Sequence, residues 1–258
     1  MVERKIKMNE RQIKLVIGSL LHDIGKIVYR SGDGRNHSQS GFEYLEQDAG
    51  ISDREILDCV RFHHGARLKT ADLEKGSLAY LTYFADNVAA AADRREGETP
   101  EYGFDKKVPL SSIFNILNGN HENLHYERRV LNPKGEINAP VDRDTLLDES
   151  FYRRIIANIT DNLKGIDLTE DYLNSLLSIL EANTTYLPSS TSQKELADIS
   201  LFDHLKMTAA IAQCVEQVLE EKDIRDYKDR LFRHAQESYE ERWFLLYSMD
   251  ISSIQKFI

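Results

Sequence analysis

Apolar residues recur at helical spacing along most of this chain, and this periodicity constrains its fold more than any other feature. Between residues 9 and 27, the apolar positions are Ile13, Val16, Ile17, Leu20, Leu21 and Ile24. Similar patterns occupy residues 42–47, 53–62, 78–93, 150–163, 169–186, 201–221 and 227–242. Because each such helix must bury its apolar face against a neighbour, the sequence predicts a mainly α-helical bundle.

Three segments depart from the helical pattern. The stretch RSGDGRNHSQSG at residues 30–41 has the composition of a loop. Residues 97–150 are rich in glycine, proline and asparagine, which predicts an irregular excursion with little catalytic chemistry. The segment WFLLYSMDISSIQKFI at residues 243–258 mixes aromatic and branched side chains, so it predicts a strand followed by a helix. The competing interpretation is that it extends the preceding helix.

The composition excludes some classes of function and location. The chain has 33 basic and 43 acidic side chains, so its net charge is −10. This argues against a protein that binds duplex nucleic acid through charge alone. The chain has only two cysteines, both within helical patterns, which favours a reducing compartment. The sequence shows neither a secretion signal nor a stretch of ~20 apolar residues. We therefore expect a cytoplasmic protein without a membrane span.

Candidate metal ligands occur at several helical positions. His22 and Asp23 stand side by side near the end of the first helix. Imidazole and carboxylate groups together suit transition metals such as Mn, Fe, Co, Ni or Zn. Adjacent residues on a helix diverge by ~100°, so a site that uses both must lie between helices. The other residues of these types in a helical context are His37, the pair His63 and His64, Asp86, and Asp203 with His204.

Each candidate also has an ordinary structural interpretation. His22 could be stabilised by the helix dipole, and His37 could face solvent from a loop. An arginine could neutralise Asp86, and Asp203 is expected to be the N-cap of its helix. Because neighbouring residues diverge on a helix, one member of the His63–His64 pair is expected to be exposed.

The motifs resemble those of the HD superfamily of metal-dependent phosphohydrolases. The stretches LLHDIGK and FADN match the family's His-Asp pair and its late aspartate. The match to the family's first-histidine helix, LFDHLKMTAAIA, comes late, as in a circularly permuted HD domain. This order, together with YLTYFADNVAAAADRR, YLPSSTSQKELADIS and SMDISSIQKFI, is similar to the large subunit of type III-A (Csm) CRISPR effector complexes.

The resemblance implies a site with one or two divalent transition metal ions, with Mn, Ni or Co preferred. Four residues would hold the first ion: His22, Asp23, Asp86 and His204. His37 and His63 would hold a second ion, with Asp23 bridging the two. His64 is the less favoured of its pair, and Lys26 would either meet a substrate phosphate or remain a solvated charge.

The resemblance also implies a domain organisation and a function. Residues 1–240 would form the permuted HD domain, and residues 241–258 would begin a ferredoxin-like palm domain, with Ser252-Ser253 where the family usually has Ser-Gly. No GGDD-type motif is present, so no cyclase activity is expected in this chain. The implied activity is cleavage of single-stranded DNA, in a complex with other protein subunits, guide RNA and target RNA. The alternatives are a vestigial HD scaffold that docks other subunits and an HD phosphohydrolase that acts on nucleotides.

Overall fold

The computed structural model describes residues 7–93, 95, 103–131, 137–142 and 148–248, and these are mainly helical. The α-helices are α1 Glu10–Leu21, α2 Gly25–Arg30, α3 His37–Glu43, α4 Arg54–Phe62, α5 Gly65–Leu68, α6 Leu78–Asp93, α7 Glu149–Leu163, α8 Leu173–Thr184, α9 Leu201–Glu221 and α10 Ala235–Tyr239. Two π-helical segments span Tyr44–Asp48 and Lys228–Arg233, and 3-10 turns span Ile113–Asn115, Leu117–Gly119 and Glu170–Tyr172. The helical bundle predicted from the periodicity is confirmed.

The bundle is centred on α1 and α9. Asn9 and Gln12 form a capping box at the start of α1, which satisfies backbone N–H groups there. Helix α1 packs against α4 and α9, and α9 also packs against α6. Both α1 and α9 contribute side chains to two buried apolar clusters, one shared with α3, α4, α7 and α8 and the other with α6. These two helices therefore fix the positions of the elements around them.

The loop predicted for residues 30–41 is wrong from His37 onward. Helix α3 begins at His37, where the Asn36 side chain accepts a hydrogen bond from the Gln39 backbone N–H. The small residues that favour a loop in isolation here allow close packing, because Ser38, Ser40 and Gly41 are buried. The start of α3 therefore carries a candidate ligand on an ordered helix.

Asp203 is not the N-cap of α9, contrary to expectation. Ser200 caps this helix, and Asp203 lies three residues later with its backbone N–H donating to the Ser200 hydroxyl. The Asp203 side chain is exposed and contacts Lys206. Asp203 is therefore a surface residue of the first helical turn.

The described parts of the excursion, residues 103–131 and 137–142, contain 3-10 turns and isolated β-bridges. Residues 242–248 form neither helix nor strand, and the rest of the predicted strand and helix, residues 249–258, lies outside the described residues. Both cysteines are free, Cys59 in the core and Cys214 at the surface. No helix among the residues that the structure describes has the length and apolarity needed to cross a bilayer.

Candidate metal centre

Four predicted ligands from three parts of the chain form the first cluster, which we call the mixed group: His22, Asp23, Asp86 and His204. One ligand atom from each lies within 4.8 Å of the others. His22 is the C-cap of α1 and Asp23 follows it, whereas Asp86 lies within α6 and His204 in the first turn of α9. The packing of α9 on α1 and α6 therefore assembles this group.

The contacts within the mixed group join imidazole nitrogens to carboxylate oxygens. The His204 Nε2 atom lies 3.1 Å from Asp86 Oδ1 and 3.4 Å from Asp23 Oδ2. The His22 Nε2 atom lies 3.4 Å from Asp23 Oδ2 and 3.5 Å from Asp86 Oδ1. The two histidines thus face the same pair of carboxylates, which is the geometry of a shared ligand set.

Three histidines form the second cluster, which we call the histidine group: His37, His63 and His64. The His37 Nε2 atom lies 2.7 Å from His64 Nε2 and 3.3 Å from His63 Nε2. The expectation that one of His63 and His64 is exposed is wrong, because His63 is buried and His64 is half-buried. His63 is the C-cap of α4, and His64 has already left the helix with φ −104° and ψ 135°. The helical divergence between neighbours therefore does not apply to this pair.

Asp23 lies between the two groups, and each of its carboxylate oxygens faces one of them. Oδ2 faces the mixed group through the contacts given above, while Oδ1 lies 3.2 Å from His37 Nε2 and 3.5 Å from His63 Nε2. A carboxylate in this position is suited to bridging two cations. Asp23 is therefore the residue common to both clusters.

The same kind of hydrogen bond to the backbone orients the His22 and His63 rings. In each case the Nδ1–H group donates to the backbone carbonyl three residues earlier, Ser19 for His22 and Val60 for His63, over 2.7 Å. A hydrogen bond of this kind fixes the ring and leaves the Nε2 lone pair of the neutral imidazole for a metal. The helix ends therefore aim both Nε2 atoms into the site.

Burial and charge affect the two groups differently. Burial opposes the charged form of His22, but the Asp23 and Asp86 carboxylates outweigh it and raise the pKa of His22 to about 9, so a metal ion would displace this proton when it binds Nε2. In the histidine group, burial lowers the pKa of His37 and His63, and burial together with His63 lowers the pKa of His64 to about 3. The histidine group is therefore neutral at physiological pH, as metal ligation requires.

The buried atoms of the site fit a cation. Within the described residues, His22 Nε2 and Asp23 Oδ1 are buried side-chain atoms without a properly oriented hydrogen bond. Polar atoms in such positions are costly unless something satisfies them. Despite burial, Lys26 and His22 hold the pKa of Asp23 well below its usual range, so this carboxylate is ionised. The donor set, imidazole nitrogen with carboxylate oxygen, is one that divalent transition metals accept.

A partly open cavity of about 640 Å³ leads to both groups. Its wall includes Asp23, His37, His64, Asp86 and His204. Lys26 also faces it, with its Nζ atom 2.5 Å from Asp23 Oδ2. The volume falls within the range of roughly 300–1,000 Å³ that is typical of ligand sites.

The structure thus brings together the six predicted ligands and places Lys26 beside them. Sequence reasoning did not assign His64 to the site. The signal that could have identified it is the glycine at position 65, because a break after the histidine pair releases it from helical geometry.

Comparison with known proteins identifies the family of this chain. The HD domain family model matches residues 2–91, which include every candidate ligand except His204. The chain is 37% identical over 278 residues to the CRISPR system single-strand-specific deoxyribonuclease Cas10/Csm1 (subtype III-A) of Mycobacterium tuberculosis, covering 97% of this chain and 34% of that protein. The protein of the same name from Enterococcus italicus is 37% identical over 262 residues, covering 96% of this chain and 35% of that protein.

Solved structures show the same fold. The crystal structure of Csm1 from Thermococcus onnurineus matches with a TM-score of 0.60 and 27% identity, over 80% of this chain and 28% of that one. A Csm1–Csm4 cassette in complex with cA4 matches with a TM-score of 0.58 and 25% identity, over 80% of this chain and 28% of that one. The chain thus spans about a third of the length of the curated relatives. It belongs to the Cas10/Csm1 family of subtype III-A CRISPR proteins and contains an HD domain.

Proposed function

We propose that this chain is a metal-dependent nuclease module that cleaves single-stranded DNA. The observation that carries the proposal is the position of Asp23, whose two carboxylate oxygens face two separate groups of ligands. The relatives described above are single-strand-specific deoxyribonucleases, and this supports the substrate class.

In this proposal the mixed group holds one divalent ion and the histidine group holds another, with Asp23 shared. Mn, Ni or Co fits the donor set. When bound, such ions activate water near neutral pH and neutralise charge that develops on a phosphate. The chain's own residues orient the site through the carbonyl hydrogen bonds of His22 and His63. Lys26, which lines the cavity, is placed to contact a substrate phosphate.

We further propose the setting in which the module works. The Csm1–Csm4 structures support a type III effector assembly with other protein subunits, in which guide RNA paired with target RNA would control the nuclease. Such an assembly would be cytoplasmic. We assign residues 1–240 to the HD domain and residues 241–258 to the start of a palm domain.

The proposal is tested by metal content and cleavage measured on the same samples. We expect two ions per wild-type chain, measured by mass spectrometry after Mn loading, and Mn-dependent cleavage of labelled single-stranded DNA. Asp23→Asn should lose both ions and the activity, because its carboxylate serves both groups. His64→Gln should lose one ion and Asp86→Asn the other. His121→Gln, an exposed histidine outside both groups, is the matched control.

Two results would contradict the proposal. Cleavage that survives Asp23→Asn would place the activity elsewhere, and a metal-free, inert wild type would favour the scaffold. The cavity volume also favours a second candidate, a phosphohydrolase acting on nucleotides, because about 640 Å³ accommodates a single nucleotide. Faster hydrolysis of mononucleotides than of oligonucleotides under the same conditions would support that candidate.

A further inference from the structure

Phe104 is an exposed aromatic residue in the wall of the metal-site cavity. It belongs to the 97–150 excursion, and 70% of its surface is exposed. In the part of the chain that the structure describes, no other ring or cation contacts the Phe104 ring. Exposing a large apolar ring to water in this way is unfavourable unless something covers it.

The backbone around Phe104 is held in place even though its ring is exposed. Phe104 forms an antiparallel bridge with Ser192. On either side, the Asp105 N–H group donates to Thr191 over 2.9 Å, and the Gln193 N–H group donates to Gly103 over 3.0 Å. The ring is thus presented from a fixed backbone position.

The cations of the cavity wall already have partners. Lys26 pairs with Asp23, Arg30 donates to the Pro188 carbonyl, and Arg35 pairs with Asp33. The whole chain also carries a net charge of −10. Apart from Lys26, which the proposed function assigns to a substrate phosphate, the described cavity wall offers little free positive charge. Lys106 covers the Tyr29 ring of the same wall, whereas the exposed Phe104 ring is suited to bind a base.

We propose, on the basis of the function proposed above, that Phe104 is a stacking platform for one unpaired base of the substrate strand. Stacking on an aromatic side chain is available to every base and needs a free face of that base. In a duplex, both faces are already covered by neighbouring bases. Phe104 would thus favour single strands over duplexes while the scissile phosphate approaches the metal ligands.

The first test compares Phe104→Leu, which keeps an apolar side chain without a ring, with Phe104→Trp, which keeps a ring. Phe114→Leu is the matched control, because Phe114 is 57% exposed on the same excursion and does not line the cavity. In Mn-dependent cleavage of single-stranded DNA, we expect Phe104→Leu to raise KM about tenfold with little change in kcat. Its preference for single strands over duplexes should fall, whereas Phe104→Trp and Phe114→Leu should resemble the wild type.

The second test uses substrates that lack one base at successive positions. In the wild type, one abasic position should raise KM about as much as Phe104→Leu does. In Phe104→Leu, that same position should have no further effect, because the two changes remove one interaction. Additive effects, or an unchanged KM in Phe104→Leu, would overturn the proposal. Circular dichroism melting of each variant separates these results from misfolding.

The stacking proposal and the nuclease proposal can fail separately. If the wild type does not cleave DNA after Mn loading, the nuclease proposal fails. The affinity of wild type and Phe104→Leu for the same labelled oligonucleotides, measured by fluorescence anisotropy in EDTA, then tests the stacking. Equal affinity in the two proteins would overturn it, and a loss of about tenfold that disappears at one abasic position would support it.

Discussion

Gly25 is a single residue that lets two helices next to the candidate ligands pack closely. It is the first residue of α2, two positions after Asp23, and α2 packs against α3 at this point. A Cβ atom at this position would lie 1.8 Å from the His37 carbonyl oxygen and 2.6 Å from the Gly41 nitrogen. We expect Gly25→Ala to lower the free energy of unfolding in urea by at least about 2 kcal/mol, because backbone must move to make room.

The control for this substitution is Gly34→Ala. A Cβ atom at Gly34 meets no heavy atom within 4 Å, so the same change there should leave the urea midpoint almost unaltered. Because the clash at Gly25 involves the His37 backbone, Gly25→Ala should also weaken metal binding by the histidine group. Equal midpoints for the two variants would contradict the packing argument.

The candidate ligands show what a sequence can predict at single positions. His22, Asp23 and Asp86 are identifiable because imidazole and carboxylate groups stand where a helix should bury apolar side chains. His64 is not identifiable in this way, because the sequence pattern does not show that the helix ends before it. Whether a helix ends one residue earlier or later depends on tertiary packing, which local sequence specifies weakly.

Helix α9 carries a buried acid that its neighbours do not fully satisfy. Glu216 is buried, and the Oε1 atoms of Glu216 and Gln213 both lack a hydrogen-bond partner among the described residues. Burial and the nearby Glu220 raise the pKa of Glu216 above its ordinary value, although a hydrogen bond from Gln12 of α1 opposes this. The folded protein therefore binds this proton more tightly than the unfolded chain, and the contribution of Glu216 to stability falls as the pH rises.

We expect Glu216→Gln to raise the free energy of unfolding at pH 8 by about 1 kcal/mol, because the amide has no charge to bury. The gain should disappear below about pH 4, where the carboxyl is protonated in both states. Urea unfolding of the wild type and the variant between about pH 4 and pH 8 measures this gain in the free energy of unfolding. Glu221→Gln, at the exposed end of α9, controls for the lost charge. A gain that does not change with pH would show that ionisation of Glu216 is not its cause.

The elements that the sequence predicts best are those with long apolar periodicity. The predictions for residues 78–93, 150–163 and 201–221 correspond closely to α6, α7 and α9. The prediction for residues 227–242 is less accurate, because the π-helical segment Lys228–Arg233 and α10 are separated at His234. Periodicity identifies the apolar face of a segment, whereas the hydrogen-bond register along it also depends on what packs against that face.

The assembled molecule brings ligands together from helices that pack against one another around α1 and α9. An ion bound in either group would link these helices and would bind the folded state far better than the unfolded one. At a metal concentration 100 times the dissociation constant, such binding adds about 2.7 kcal/mol. For a domain of this size we expect a rise in Tm of about 5 to 10 °C on Mn addition, reversed by EDTA.

Differential scanning calorimetry of wild type and Asp23→Asn measures this shift. The variant should melt at the same temperature with Mn and with EDTA, because in the proposed function the Asp23 carboxylate would contribute to both ions. A Tm that rises equally in both proteins would indicate metal binding at another position.

The fold class and the six candidate ligands were predictable because helical periodicity and residue chemistry are local properties. The cavity was not predictable, since its wall combines α2 and α3 with residues 189–192, and only tertiary packing places these together. The role proposed for Phe104 in the 97–150 excursion was not predictable for the same reason. The sequence around Phe104 contains no recognisable motif. Its bridge to Ser192 joins residues that are distant in sequence, so only the folded structure shows it.

The candidate ligands are divided unevenly along the chain, and this offers a use in protein engineering. Six of the seven lie before the excursion, and His204 alone follows it. Two polypeptides separated within the excursion would each carry an incomplete mixed group. Docking of α9 onto α1 and α6 would restore it. Fused to two interacting proteins, such halves would form a split reporter, in which recovery of the mixed group signals that the fusion partners have met.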